Sequence, residues 1–431
     1  MSSRSTPRFQ RFPFQRLLLA VTAAWAVLAG CTGEPSWDQE DAAAIHDRYQ
    51  DVDLDYFFSP LEGVPTAHPL YRGLKAKIDG RLGDAERHLE AATEAVPDSL
   101  RSFVYERLLA VNERSYDWDD AVRYRSRTDS AFTPDSKLGQ LFAERPVPDV
   151  KTASDTVTIP LDRLWVEGHI NGIDRSIPVM LDTGAPGMGV NLPTAFVEQY
   201  DLSVDTTVAV GRSIVPALGI NAPKYQAQID SITIGGVTIR DVHATVSFPK
   251  NEGSGDSEEE GLSGDAELGE ASLEAGLLRY LFDEIRYNYA DSTFTMIREV
   301  PDRETDPNFA VMSDGWPIVR AKAGGRSMAG VVDTGNLWVT YLSASSFPPA
   351  NYEQVRTRSG EYNGNEWSVD YYRVPLRFPG GLRRDEMVIR GTGDKPYRLE
   401  ANFGKDLWTE GTLVLDYRNR RTYYETSESS N

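Results

Sequence analysis

The tripeptide Asp-Thr-Gly occurs twice, as Asp182-Thr183-Gly184 within VMLDTGAPG and as Asp333-Thr334-Gly335 within GVVDTGNLW, 151 positions apart. Each copy follows a short apolar run, the pattern of a strand that delivers a carboxylate at a turn. The glycine lets a second backbone approach closely. The surroundings repeat as well. LWVEGHINGIDRSIPVMLDTGA (164–185) is echoed by WPIVRAKAGGRSMAGVVDTGN (316–336): strand, glycine turn, strand, Asp-Thr-Gly. Downstream, LEAGLLRYLFDEIRYNYADSTFTMI (273–297) is echoed by ANFGKDLWTEGTLVLDYRNRRTYYE (401–425), each with an apolar-Gly step, a short Leu-rich turn and two strands. Gly404 follows Gly276 by only 128 positions, and the shortfall is close to the length of an acidic, Gly/Ser-rich segment at about 250–274 that only the first half carries. That segment is expected to be a disordered loop. Residues 155–300 and 308–426 therefore read as two copies of one β-rich unit.

Two such units in one chain can bring their carboxylates together. Carboxylates in contact cannot both ionise cheaply, so their titrations split. One then acts as base and the other as acid. A water held between them can attack an amide carbonyl while the protonated partner stabilises the oxyanion and protonates the leaving nitrogen.

With Asp182-Thr183-Gly184-Ala185, the chain resembles the retropepsin-like aspartic proteases. The steps at Gly276 and Gly404 resemble the segments that thread beside the catalytic loops of that fold. The resemblance implies a mainly β fold of two tandem acid-protease β-barrel lobes in a pseudo-twofold bilobal unit. It implies Asp182 and Asp333 as the catalytic dyad, with Thr183 and Thr334 interlocked beneath it and Gly184, Ala185, Gly335 and Asn336 in support. The implied substrate is a peptide or an unfolded protein, hydrolysed without a cofactor or metal. Asn336 departs from the family pattern, where a small residue is usual; it is expected to alter the titration of the pair or to crowd the substrate side. Flap hairpins are expected at 207–219, with Gly211 at the tip, and at 356–372, with Tyr362–Trp367 as the turn.

The N-terminus differs in texture. Arg8, Arg11 and Arg16 precede an apolar run from Leu17 to Val27, and LAGC ends at Cys31, the single cysteine of the 431 residues. This resembles the lipobox of bacterial lipoproteins and implies a signal peptide over 1–30, lipid on Cys31, and anchorage in the bacterial cell envelope, on the outer membrane with a periplasmic or surface face. Residues 31–65 are expected to be an acidic tether. From 66 to 145 the pattern is helical. Gly83-Asp84-Ala85 is answered by Asp119-Asp120-Ala121 about 36 positions later, with Pro97 and Pro134 as stop signals. This small all-α region resembles tetratricopeptide hairpins, which have a period near 34. Two such hairpins are expected to dock on a neighbour, or to recruit a protein partner.

Composition narrows the rest. A formal net charge of −20 excludes nucleic acid as an expected partner. A lone cysteine excludes a disulfide framework or a Cys-rich zinc site. His46, His68, His88, His169 and His243 show no paired metal spacing, and Ser213, Ser327 and Ser343 lack a nucleophile-elbow context. The membrane is met through the N-terminal lipid, and the chain is expected to be a monomer. The competing reading is a peptide-binding scaffold lipoprotein with a weak or inactive dyad.

Overall fold

The computed structural model describes residues 38–426 apart from 131, 171–172, 186, 216–219, 248–270, 305, 313–314, 337–339, 363–364 and 391–397. Residues 39–431 form one compact unit. The chain is mainly β, with most helical residues before 145.

The strands leading to the two aspartates differ in what covers them. In Ile177–Asp182, Ile177, Val179 and Leu181 are fully buried on one face, while on the other Pro178 is exposed and Met180 is covered. In Arg326–Val332 the last five residues are all buried. There both faces are covered: Ala329 and Val331 pack into the core of the helical region, while Met328 and Val332 face the main β core.

Each strand heads the same series of pairings. Ile177–Asp182 pairs parallel with Ala271–Glu274, which pairs antiparallel with Val190–Pro193, which pairs parallel with Val237–Ser247. Arg326–Val332 pairs parallel with Ala401–Phe403, which pairs antiparallel with Tyr341–Ser343, which pairs parallel with Arg383–Arg390. Two further hairpins match: Trp165–Ile170 with Ile177–Asp182, and Pro317–Ala323 with Arg326–Val332. A third sheet takes strands from both halves in the order Thr156–Pro160, Thr293–Ile297, Glu284–Asn288, Gly411–Asp416, Arg421–Thr426, joined where Glu284–Asn288 meets Gly411–Asp416.

The strand register corrects the match drawn from the glycines. Leu273 pairs with Leu181, the residue before Asp182, and Phe403 pairs with Val332, the residue before Asp333. Asn402 therefore corresponds to Ser272, not to Glu274. Two extra residues separate the first strand from its glycine.

Two further expectations are corrected. The stretch expected to be a tether is helical at Gln39–Gln50 and Leu54–Phe58. Ile45, Tyr49, Leu54 and Phe57 are buried there, and their spacing is masked by an acidic, alanine-rich composition. The acidic loop ends sooner than expected, because Ala271–Glu274 is a buried strand; residues 248–270 lie outside the described residues. Asn171-Gly172 also lies outside them, whereas Gly235-Gly236 turns a hairpin with φ of +54° and +87°, a conformation glycine adopts without strain.

The expected helical hairpins correspond to Pro69–Ile78, Leu82–Ala95, Asp98–Ser115 and Trp118–Thr128. Pro69 stands in the first turn, where its missing N–H costs nothing, and His68 Nδ1 accepts from Leu70 N–H. Asp117 caps the last helix through Asp120 N–H. A methyl on Gly73 would come within 2.7 Å of the Leu89 side chain, so this glycine sets the close approach of the first two helices. Leu70, Leu74, Leu89, Val104 and Leu108 pack with Ala310, Met312, Ile318 and Val331 of the second sheet. At the other end Tyr116 joins the main core and donates to Met188 O at 2.8 Å. The helices thus use their apolar faces on the β structure and touch both halves of it.

Candidate active site

Thr183 and Thr334 are fully buried and interlocked. Thr183 N–H donates to Thr334 Oγ1 at 3.0 Å, and Thr334 N–H donates to Thr183 Oγ1 at 3.1 Å. Each hydroxyl then donates across to the opposite strand, Thr183 Oγ1 to Val332 O and Thr334 Oγ1 to Leu181 O, both at 2.7 Å. Beneath them Tyr287 donates to Leu181 O at 3.3 Å. The bonds of the crossing are reciprocal.

The crossing sets the carboxylates against each other's turn. A methyl on Gly184 would lie 2.0 Å from Asp333 Oδ1, and one on Gly335 would lie 2.3 Å from Asp182 Cγ. No side chain other than hydrogen fits at either position. Asp182 Oδ1 accepts from Gly184 N–H at 2.7 Å and from Ala185 N–H at 3.0 Å. Burial, and after it the facing Asp333 carboxylate, pushes Asp182 up to about 7, against the N–H groups of Gly184, Ala185 and Gly335, which pull it down.

Asp333 is held differently. Its Oδ1 accepts from Asn336 N–H at 2.9 Å and its Oδ2 from Asn402 Nδ2 at 2.6 Å. Asn336 Nδ2 donates in turn to Asn402 Oδ1 at 2.7 Å. An amide donor on each oxygen favours the ionised form of a carboxylate. Asn336 thus lies in a donor chain behind Asp333. Asn402 was not picked out from the sequence. The available signal was a polar residue between Ala401 and Phe403 in a buried strand, two positions before Gly404.

Gly276 and Gly404 abut the two loops. Gly276 N–H donates to Gly187 O at 2.9 Å, and a methyl on Gly276 would meet that oxygen at 2.3 Å. Lys405 N–H donates to Asn336 O at 2.8 Å, and a methyl on Gly404 would lie 2.9 Å from the same oxygen. Asp406 ties this second loop to Thr340 at 2.6 Å and to Arg384 at 2.7 Å.

Of the two expected flaps, the first is corrected at its tip. Gly211 opens the strand Gly211–Val215 and pairs with Lys224, so it is not the turn; residues 216–219 lie outside the described residues. In the second, Tyr362 pairs with Asn365, so the turn is shorter than Tyr362–Trp367. Cys31 lies outside the described residues, and among those residues no helix is long and apolar enough to cross a membrane.

No family model matches the chain, and no curated protein matches it. Among solved structures the chain is similar to the aspartic proteinase from Irpex lacteus, at 13% identity and a TM-score of 0.35, over 64% of this chain and 100% of that one. It is also similar to a retropepsin-like aspartic protease from Rickettsia conorii, at 17% identity and a TM-score of 0.22, over 35% of this chain and 93% of that one.

Proposed function

We propose that this chain is an aspartic-type endopeptidase built from two tandem retropepsin-like lobes about a pseudo-twofold axis, with Asp182 and Asp333 as its dyad. The observation that carries the proposal is the reciprocal Thr183–Thr334 crossing, which seats each carboxylate against the other's glycine turn. Asp182 carries the shared proton and Asp333, with a donor on each oxygen, holds the charge. Asp333 takes a proton from a water as the water oxygen bonds to the amide carbon. Asp182 donates to the developing oxyanion, and the carbon–nitrogen bond then breaks as Asp333 passes its proton to the nitrogen and Asp182 takes one back from a diol hydroxyl. In this proposal the helical hairpins are tetratricopeptide-like, and Cys31 carries the lipid that holds the enzyme at the cell envelope.

The test uses the chain from residue 32 onward, which holds the whole compact unit. It is expected to cleave an unfolded protein between pH 4 and 7 and to bind a hydroxyl-bearing peptide mimic of the tetrahedral intermediate. Binding of that peptide with no cleavage of any unfolded protein would leave the scaffold reading standing in its place.

Asn402 is expected to position and bias Asp333. Leucine at this position removes the donor from Oδ2. A hydrogen bond to a charged group contributes about 1.5–3 kcal/mol, which corresponds to roughly one to two pH units. The acidic limb of kcat/KM should move up by about that amount in Asn402→Leu. An unmoved limb with a lower melting temperature would make Asn402 a packing residue.

A further inference from the structure

Where the helices meet the first sheet there is a cavity of about 250 Å³. Its wall carries four cationic side chains, Arg114, Arg125, Arg145 and Lys224, against two carboxylates, Glu113 and Glu274. The carboxylate of Glu274 is already engaged: Lys224 Nζ lies 3.3 Å from Oε1, and Gly189 N–H donates to Oε2 at 3.0 Å. Arg114 donates to Val311 O at 3.2 Å.

Arg145 and Arg125 are placed otherwise. The Arg145 guanidinium lies 3.5 Å from the Phe142 ring centroid and 5.2 Å from that of Trp118. Its Nε is buried without a hydrogen-bond partner. Arg125 lies over the same Phe142 ring, at 4.6 Å. Among the described residues neither guanidinium has an ion-pair partner. Two like charges thus share one aromatic ring, and the carboxylates of Glu113 and Glu274 offset the Arg145 charge without forming an ion pair with it among the described residues. His243, only 6% exposed, lines the same cavity with Nδ1 unpartnered. Burial, then Arg145 and Lys224, hold the imidazole neutral. Arg145 itself is lowered by burial to about 10 and remains cationic at neutral pH.

With four cationic side chains against two carboxylates, one of them already bound to Lys224, and with a buried imidazole nitrogen lacking a hydrogen-bond partner, the cavity carries an excess of positive charge that suits an anion. Guanidinium matches a planar carboxylate with paired N–H donors. The aromatic and aliphatic wall, with Trp118, Phe142 and Met188, suits an organic acid better than inorganic phosphate. The volume is below the roughly 300–1,000 Å³ of drug-sized sites, so the ligand is small, or is one group of a larger molecule. We propose that this cavity is a binding site for a carboxylate, with Arg145 and Arg125 as its counter-charges and His243 as a hydrogen-bonding wall. Neither Asp182 nor Asp333 lines the cavity, although Gly187 and Met188 of the first loop do, and its test does not depend on peptide cleavage.

The experiment is calorimetric titration of the chain from residue 32 onward at pH 7 and constant ionic strength, with succinate, the amide of N-acetylglutamate, and inorganic phosphate. Saturable binding of the carboxylates is expected, weakened at least tenfold by Arg145→Gln and several-fold by Arg125→Gln. The second variant alters a half-buried side chain and keeps the test open should the first not fold. Tighter binding of succinate assigns a free acid, and tighter binding of the blocked glutamate assigns a chain-borne side chain; both support the site. Absence of saturable heat, phosphate binding tighter than either carboxylate, or binding unchanged in the folded variants would overturn it. The titration repeated in Asp182→Asn should give the same affinity.

Discussion

Asp182→Asn and Asp333→Asn are each expected to lower peptide hydrolysis by at least about 10³-fold, because either change removes one of the two proton-transfer roles. Asparagine retains the acceptor oxygen for the Gly184 and Ala185 N–H groups, so the turn should persist. Stability then separates chemistry from folding. Asp182 sits at about 7 in the folded chain, while an unfolded aspartate titrates near 3.9. The folded state therefore binds the proton more tightly. Wild-type stability is fully present below about pH 4 and is lost as pH rises through 7. Asp182→Asn has no proton to lose there. It should match wild type near pH 4 and exceed it at pH 8 by on the order of 2 kcal/mol, an amount reduced from the full shift by relaxation around the pair. Chemical denaturation at the two pH values reads this directly. Retained activity in either variant would sink the dyad, and a variant less stable at pH 8 would sink the placement of the proton on Asp182.

Thr183→Val and Thr334→Val are expected to be the costliest single changes to stability at the site. Valine keeps the shape of threonine and removes the hydroxyl. In Thr183→Val the carbonyl of Val332 loses its donor and the N–H of Thr334 loses its acceptor. Both groups stay buried, and an unmade bond there costs about 1–3 kcal/mol. Each variant should lose about 2–5 kcal/mol and most of its activity, because the crossing also fixes the separation of the carboxylates. The double variant should cost clearly less than the two losses added, since the hydroxyls lie 3.2 Å from each other and losing either loosens the crossing that holds the other. Additive losses would mean that the threonines act independently, contrary to the reciprocal bonding.

Much of the arrangement around Asp182 and Asp333 was legible because its requirements are local. A short apolar run, an acceptor side chain at its end and a glycine where the other carboxylate passes are written into nine residues, twice. Gly276 and Gly404 were legible for the same reason, since only hydrogen clears the loop oxygens they face. The helices between 66 and 145 could be read from apolar spacing and caps, but Gln39–Gln50 and Leu54–Phe58 could not, because their buried Ala42, Ile45, Tyr49, Leu54 and Phe57 stand among acidic residues.

Asn402 was not legible, and the reason is register. Counting from the glycines matches it with Glu274, whose carboxylate turns to Lys224 and Gly189. Strand pairing matches it with Ser272. Hydrogen bonds between strands decide that register, and they are formed with residues some 70 to 90 positions away. The cavity at Arg145 was equally hidden, because its walls come from helices and from strands that meet only in the folded chain.

By itself, then, the sequence determined two turns that each present an aspartate, and the small residues that let them approach. Local sterics and strand periodicity suffice for that. The tertiary structure decided which donors surround each aspartate, that the helices pack against both halves, and where unpaired arginines gather. Those outcomes depend on register and on docking between distant segments, which no short stretch of sequence encodes.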